Sequence, residues 1–257
     1  MGVRAEVIYG VFTQKDAVMT LYFDNQREAR GGYELAVRAR TEEFLEHAHG
    51  VVTVILDPSM KAARPTVTQQ WFEEFESLVN FEHMEYLNTT KLTNASKMFS
   101  GCMNLTSLDL SGFKTPTLYN ASMMFSGCSS LEKLDLRSLD FSKMTMCGNM
   151  FDGCENLTTI LSAQDWSQNV SEAYGENMFR DCTSLVGENG THYSASHTGI
   201  EYARPDKPGQ PGYFTITGQG IESIQPSAVS SQKTIQNGQL LIERNGNIYN
   251  AIGVEIK

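Results

Sequence analysis

A thirteen-residue word recurs in this chain at a fixed step, and that step constrains the fold more than any single motif. "MFSGCMNLTSLDL" at 98–110 returns as "MFSGCSSLEKLDL" at 124–136. Phe99, Phe125 and Phe151 are 26 residues apart, and Phe179 follows 28 later. Cys102, Cys128, Cys154 and Cys182 keep the same step, as do Leu105, Leu131, Leu157 and Leu185. A unit this short cannot bury its apolar edge alone, so successive units are expected to stack. "WFEEFESLVNF" sets Phe72, Phe75 and Leu78 in the Phe, Cys and Leu positions, and reads as a degenerate entry unit.

Each unit divides by period. The steps of three and four in Met98, Phe99, Cys102 and Leu105 predict a short helical turn. Leu108 and Leu110 flank Asp109 at strand spacing, and Leu134 and Leu136 flank Asp135 in the same way. A third column runs through Leu92, Leu118, Met144 and Val170, and a small-residue column through Ala95, Ala121 and Cys147. The expected core therefore comprises Met98, Phe99, Cys102, Leu105, Leu108, Leu110, Leu118, Phe125, Cys128, Leu131, Leu134 and Leu136. It continues through Phe151, Cys154, Leu157, Phe179, Cys182 and Leu185. Nine residues separate Val170 from Phe179, against seven from Leu118 to Phe125, so an insertion near "SEAYGEN" should bulge outward.

The predicted fold class is α/β: about five stacked units of helical turn plus strand, with an N-terminal cap and a C-terminal β-hairpin module. The cap, a hairpin and a helix, is placed at 1–50 and the repeats at 51–186. An irregular closing segment follows at 187–215, then a polar linker at 216–233. The tail at 234–257 carries two short strands around an Asn245–Gly246 turn.

Twenty basic against thirty acidic residues give a formal charge of −10, and no basic run is interleaved with aromatics, so nucleic acid is not the expected partner. No apolar stretch reaches the roughly 20 residues of a membrane span. The four repeated cysteines invite a zinc reading, but one per unit spreads them along a line, whereas a tetrahedral site needs convergence. They are expected as a buried column of reduced thiols, with Cys147 as filler. The histidines, at 47, 49, 83, 192 and 197, carry no HExxH pattern, and neither GxSxG nor a Walker sequence occurs. No catalytic residue, metal or cofactor is expected. The candidate binding face is the outward side of the predicted strands: Ser107, Lys133 and Thr159 beside Asp109, Asp135 and Leu161. Leu161 replaces an aspartate of that column, which leaves open an exposed leucine or a local shift.

The "MF-x-x-C-x-x-L-x-x-LDL" order, from about Val51 to Leu185, resembles the BspA-like leucine-rich-repeat surface proteins of bacteria, in the 26-residue form common in gut Bacteroidetes and mycoplasma lipoproteins. "LYFDNQREARG", "VILDPSMKAARPT" and "EYARPDKPGQPGYFT" resemble segments that bracket such repeats. The resemblance implies a leucine-rich-repeat-type solenoid, export, and a cell-surface, outer-membrane-associated or secreted location. It also implies non-catalytic adhesion to host or neighbouring-cell proteins or glycans, with a structural spacer or assembly subunit as the alternative. Departures from the family word include Phe75 for the first cysteine, and Pro116 and Met146 where residues are usually small and polar.

Overall fold

The computed structural model describes residues 6–13, 15, 17–35, 41–168 and 172–217, together with the backbone of 232–236, 239–244, 247–250 and 255–256. Strands β1 (Val7–Thr13) and β2 (Val18–Asp24) form an antiparallel hairpin, and β3 (Tyr33–Glu34) pairs with the outer edge of β1. Helix α1 (Glu42–His49) starts where the Thr41 hydroxyl accepts the Phe44 N–H at 3.2 Å, and it buries Phe44 and Ala48. Strand β4 (Thr53–Leu56) then runs parallel to β2, and β5 (Asn80–Glu82) parallel to β4. The resulting sheet, β3-β1-β2-β4-β5, joins the expected cap to the entry unit across residue 50.

From Val67 onward the chain climbs in rungs. Single parallel bridges tie Val67 to Asn94, Asn94 to Asn120 and Asn120 to Met146. Backbone hydrogen bonds explain the rung's shape. The N–H groups of Ala95, Lys97, Phe99 and Gly101 donate to carbonyls of Asn120, Ser122, Met124 and Ser126 in the next rung. The alternate N–H groups, Met98, Ser100 and Cys102, donate back three residues within their own rung. Such alternation requires repeated reversals, and two left-handed residues recur per rung. One column is Gln70, Lys97, Met123, Asn149 and Asn177; the other is Glu74, Gly101, Gly127, Gly153 and Asp181. The glycines fit the second column for a further reason: a Cβ on Gly101 would lie 3.3 Å from the Glu74 Cα.

The expected helical turn is therefore absent from the repeated word, although its three-and-four spacing is genuine. Consecutive reversals bury the same positions that a helix would, while half of the N–H groups bond to the neighbouring rung and none closes an α-helical ring there. Among the described residues, α-helix is confined to α1 and the four-residue α2 (Glu172–Gly175) in the "SEAYGEN" insertion. The strand of the repeated word is formed in only two rungs, β6 (Lys133–Asp135) and β7 (Thr159–Leu161). The strands lie in open sheets. The expectation of an α/β leucine-rich-repeat-type solenoid, with about five helix-plus-strand units, is corrected accordingly.

The core runs through the rungs as columns. Phe72, Phe99, Phe125, Phe151 and Phe179 are fully buried and stack face to face at 5.6–5.7 Å between centroids. Edge-on rings close both ends, with Phe75 and Phe81 against Phe72 and Tyr213 against Phe179. Every residue expected in the core is buried; Leu108, at 6%, is the most exposed of them. Each buried leucine, methionine or phenylalanine of that set contributes roughly 1.5–3 kcal/mol by leaving water.

The closing segment completes the last sheet, since β8 (Phe214–Thr215) pairs in parallel with β7. It is pinned by Asp206, 2% exposed, whose carboxylate accepts the N–H groups of Asn189, Thr191 and Gly212 and the Thr191 hydroxyl. Glu188 accepts the N–H groups of Ile216 and Thr217, and the Thr217 hydroxyl bonded to it holds its carboxyl below the usual range. Most of the expected linker, residues 218–231, lies outside the described residues, as do Asn245 and Gly246. The tail forms a four-stranded antiparallel sheet and not a lone hairpin. Its strands are β9 (Gln232–Gln236), β10 (Gln239–Arg244), β11 (Asn247–Asn250) and β12 (Glu255–Ile256), in the order β12-β11-β10-β9.

Candidate binding surface

The cysteine column is structural chemistry. The Cys102 thiol donates to the Phe72 carbonyl at 3.2 Å, Cys128 to Phe99 and Cys154 to Phe125 at 3.1 Å, and Cys182 to Phe151 at 3.0 Å. All five cysteines are free and buried, and burial pushes Cys128 and Cys147 up to about 12 and raises Cys102, Cys154 and Cys182 as well. A protonated, enclosed thiol is a poor nucleophile and a poor metal ligand. Among the described residues no group of three His, Cys, Asp or Glu side chains is placed to hold a metal. His83 lies flat on Tyr86 at 4.8 Å, and His197 stacks on Tyr202 at 4.5 Å.

The strand-side residues expected to form a binding face divide. Ser107 and Asp109 are exposed on a segment that belongs to no strand. With Gly112, Asn80, His83 and Glu85 they line a cleft of about 220 Å³ between the first two rungs. Both flanking strands, β5 and β6, are sheet edges there. Lys133, Asp135 and Thr159 are half-buried and do not line that cleft. Burial alone would raise the Asp135 carboxyl, but hydrogen bonds from Arg137 outweigh it and hold it low. Leu161 is 1% exposed and pairs with Thr215 of β8, so its place on an open face is corrected. The closing segment covers it, a contact made 54 residues away in sequence.

A second surface lies on another side of the rungs, and the sequence reading passed over it. Two residues beyond each buried Leu92 or Leu118 comes Asn94 or Asn120, whose side-chain oxygen accepts the N–H of Ser96 or Ser122 and fixes the turn. Met146 and Tyr174 take that column in the next two rungs and carry no carbonyl side chain to serve the turn. Met146 is 36% exposed and Tyr174 57%, and neighbouring Tyr119 is 45% exposed. The Met146 N–H donates to the Tyr119 carbonyl, and the Cys147 N–H to that of Tyr174, so the three occupy successive rungs as a ridge. The available signal was the departure at Met146 from a small polar residue, read together with two tyrosines in adjacent columns, Tyr119 beside Asn120 and Tyr174 in its place.

Three of the first four rungs open on an exposed cation. Arg64, Lys91 and Lys143 are exposed, each immediately preceding the buried residue that opens its rung. The Arg64 guanidinium is steadied by the Lys61 and Ala63 carbonyls at 2.7 Å. Asp140, held low by hydrogen bonds from Ser142, also feels Lys143. The first rung's Arg64, Thr66 and Val67 share a pocket with Glu6 and Glu34, and the next three rungs present Thr93–Asn94, Tyr119–Asn120 and Thr145–Met146 in the same two columns.

Among the described residues no helix is long and apolar enough to cross a membrane. Residues 66–192 match the model of a family described as "Mycoplasma protein of unknown function, DUF285", a span just under half of the chain. No curated protein and no solved structure matches. The family matched is not a leucine-rich-repeat family, and the rungs lack the helix-plus-strand unit, so the resemblance to BspA-like proteins, with the Bacteroidetes source it suggested, is corrected.

Proposed function

We propose that this chain is a non-catalytic binding protein, exported to a cell surface, whose rungs present a recognition ridge to a macromolecule. The observation carrying this reading is the exposure of Tyr119, Met146 and Tyr174, with the last two in a column where asparagine fixes the turn in the second and third rungs. Departures from a local turn rule of this kind are expected at functional or strained sites. Tyrosine is a preferred anchor of binding surfaces, because a large ring immobilises at little entropic expense. The buried, protonated cysteines support the non-catalytic part, since the most repeated reactive group is committed to packing.

The test is binding to an array of extracellular-matrix proteins and glycans. The wild-type chain is compared with the Tyr119→Ser/Tyr174→Ser variant and with Ser107→Ala/Asp109→Asn in the cleft. Binding lost in the tyrosine variant and kept in the cleft variant supports the ridge. The reverse pattern transfers recognition to the cleft. A blank array sinks the binding reading and leaves a structural spacer. Protease shaving of intact cells tests the location separately.

A further inference from the structure

We infer that the groove between the cap and the first rung docks a peptide segment of a partner protein, whose backbone N–H groups take the place of those a preceding rung would offer. The inference goes beyond the ridge and does not depend on it. Hydrogen-bond polarity argues first. Within the stack each rung donates to the one after it, so the N–H groups of Thr68, Gln70 and Phe72 go to the carbonyls of Asn94, Ser96 and Met98. The matching carbonyls of the first rung belong to Val67, Gln69 and Trp71. Among the described residues they accept no hydrogen bond, although Trp71 is only 5% exposed. An enclosed acceptor without a donor is unfavourable, so a chain that brings N–H groups to it is held.

The far end of the stack differs. There the Thr198 carbonyl accepts the Phe179 N–H at 2.8 Å, and the Tyr193 hydroxyl accepts the Asp181 N–H at 3.2 Å. A second copy stacked head to tail would meet the groove with an end already closed by its own segment, which favours a different polypeptide.

The groove's walls argue third. Val67, Gln69 and Trp71 line it together with Val7, Ile8 and Phe23 of the cap, and it holds about 490 Å³. Val67 is 44% exposed. On the cap wall the β1–β3 ladder holds only Tyr9 and Gly10, so Val7 and Ile8 bring a second backbone edge with no ladder partner on that side. Two open edges with apolar side chains between them suit peptide addition, in which main-chain hydrogen bonds give affinity and side-chain pockets give selection.

The experiment probes the full chain with an array of hexapeptides in which Val, Ile, Leu or Phe alternates with Thr or Ser. Binding to a subset is the expected result. Val67→Asp, which sets a charge among the apolar side chains, should weaken it about tenfold or more, whereas Tyr119→Ser/Tyr174→Ser should leave it unchanged. Replacing alternate amides of the best-bound peptide by esters removes N–H donors and keeps every side chain. One of the two alternate sets should weaken binding about tenfold or more. Thermal melts accompany every variant, and Val67→Ser replaces Val67→Asp should that variant unfold.

A blank hexapeptide array overturns the inference, as does binding indifferent to position 67 or to both ester sets. Binding lost in the tyrosine variant and kept in the Val67 variant moves the peptide to the ridge and overturns it as well. Displacement by maltohexaose as strong as by unlabelled peptide overturns it in favour of a glycan. A concentration-dependent dimer in sedimentation velocity, abolished by Val67→Asp, assigns the groove to a second copy and overturns the partner peptide.

Discussion

The Cys128 thiol donates to the Phe99 carbonyl of the preceding rung at 3.1 Å, and that carbonyl also accepts the Cys102 N–H. One oxygen thus joins the turn within its own rung to the side chain of the next. Alanine would fill the same small column but leave the bond unmade and a void beside Phe125.

Cys128→Ala is expected to destabilise the fold by roughly 1–2 kcal/mol, read as a lower denaturant midpoint at unchanged slope. The thiols also give stability a pH dependence of definite sign. An ordinary thiol titrates near 9, and burial pushes Cys128 up to about 12. The folded state therefore keeps a proton that the unfolded state loses, so the contribution is complete below about 9 and is lost as pH rises towards 12. Denaturant midpoints should fall between pH 8 and pH 10.5, estimates bracketing the ordinary thiol range. The fall should be shallower in Cys128→Ala, and a thiol reagent should titrate all five cysteines only after unfolding.

Phe75 marks where the cysteine column ends. Its ring packs on Phe72 at 5.8 Å and on Phe44 of α1 at 6.2 Å, so the place of a thiol is taken by a ring that reaches the cap. Phe75→Cys restores the repeated residue yet should cost about 2–4 kcal/mol, because no rung below offers a carbonyl and a cavity opens under α1. A thermal melt checks it; an unchanged midpoint would show that α1 is not held through this contact.

Asp206 should hold the closing segment in the same decisive way. Its four donors lie between 2.7 and 3.4 Å, and removing the carboxylate leaves buried N–H groups without partners. Asp206→Ala is expected to cost roughly 2–4 kcal/mol. Amide hydrogen exchange of Asn189, Thr191 and Gly212 should rise well before that of the rungs around Phe125. Uniform loss of protection would mean that the segment and the rungs unfold as one unit.

The columns were legible in the sequence because stacking demands identical apolar residues at identical heights, as Phe99, Phe125 and Cys128 display. The path between them was not. Lys97 and Met123 adopt left-handed conformations that neither residue type advertises. A chain of three-residue reversals also buries the same steps of three and four as a helix. Leu161 looked like a surface residue because its cover arrives from Thr215, beyond the reach of any local pattern. The ridge was half visible: Met146 stood out as an intruder, but only the register of Tyr174 in the displaced final rung shows that two successive asparagines have been replaced.

That register yields the sharpest prediction. Met146→Asn restores to the fourth rung the residue that Asn94 and Asn120 provide in the two before it, with a side-chain oxygen for the Gly148 N–H. The gain should be about 0.5–1 kcal/mol, the scale of a turn-fixing hydrogen bond at a partly exposed site. The same change removes the middle of the exposed ridge, so captured ligand should fall while the melting temperature rises. A purely structural surface gives the rise in melting temperature without the loss of ligand, whereas a selected binding surface gives both. Paired melting and array measurements on this one variant separate the two. Should the melt drop instead, the turn around Gly148 is fixed by something other than the residue at position 146, and the argument that Met146 is kept for its exposed face fails with it.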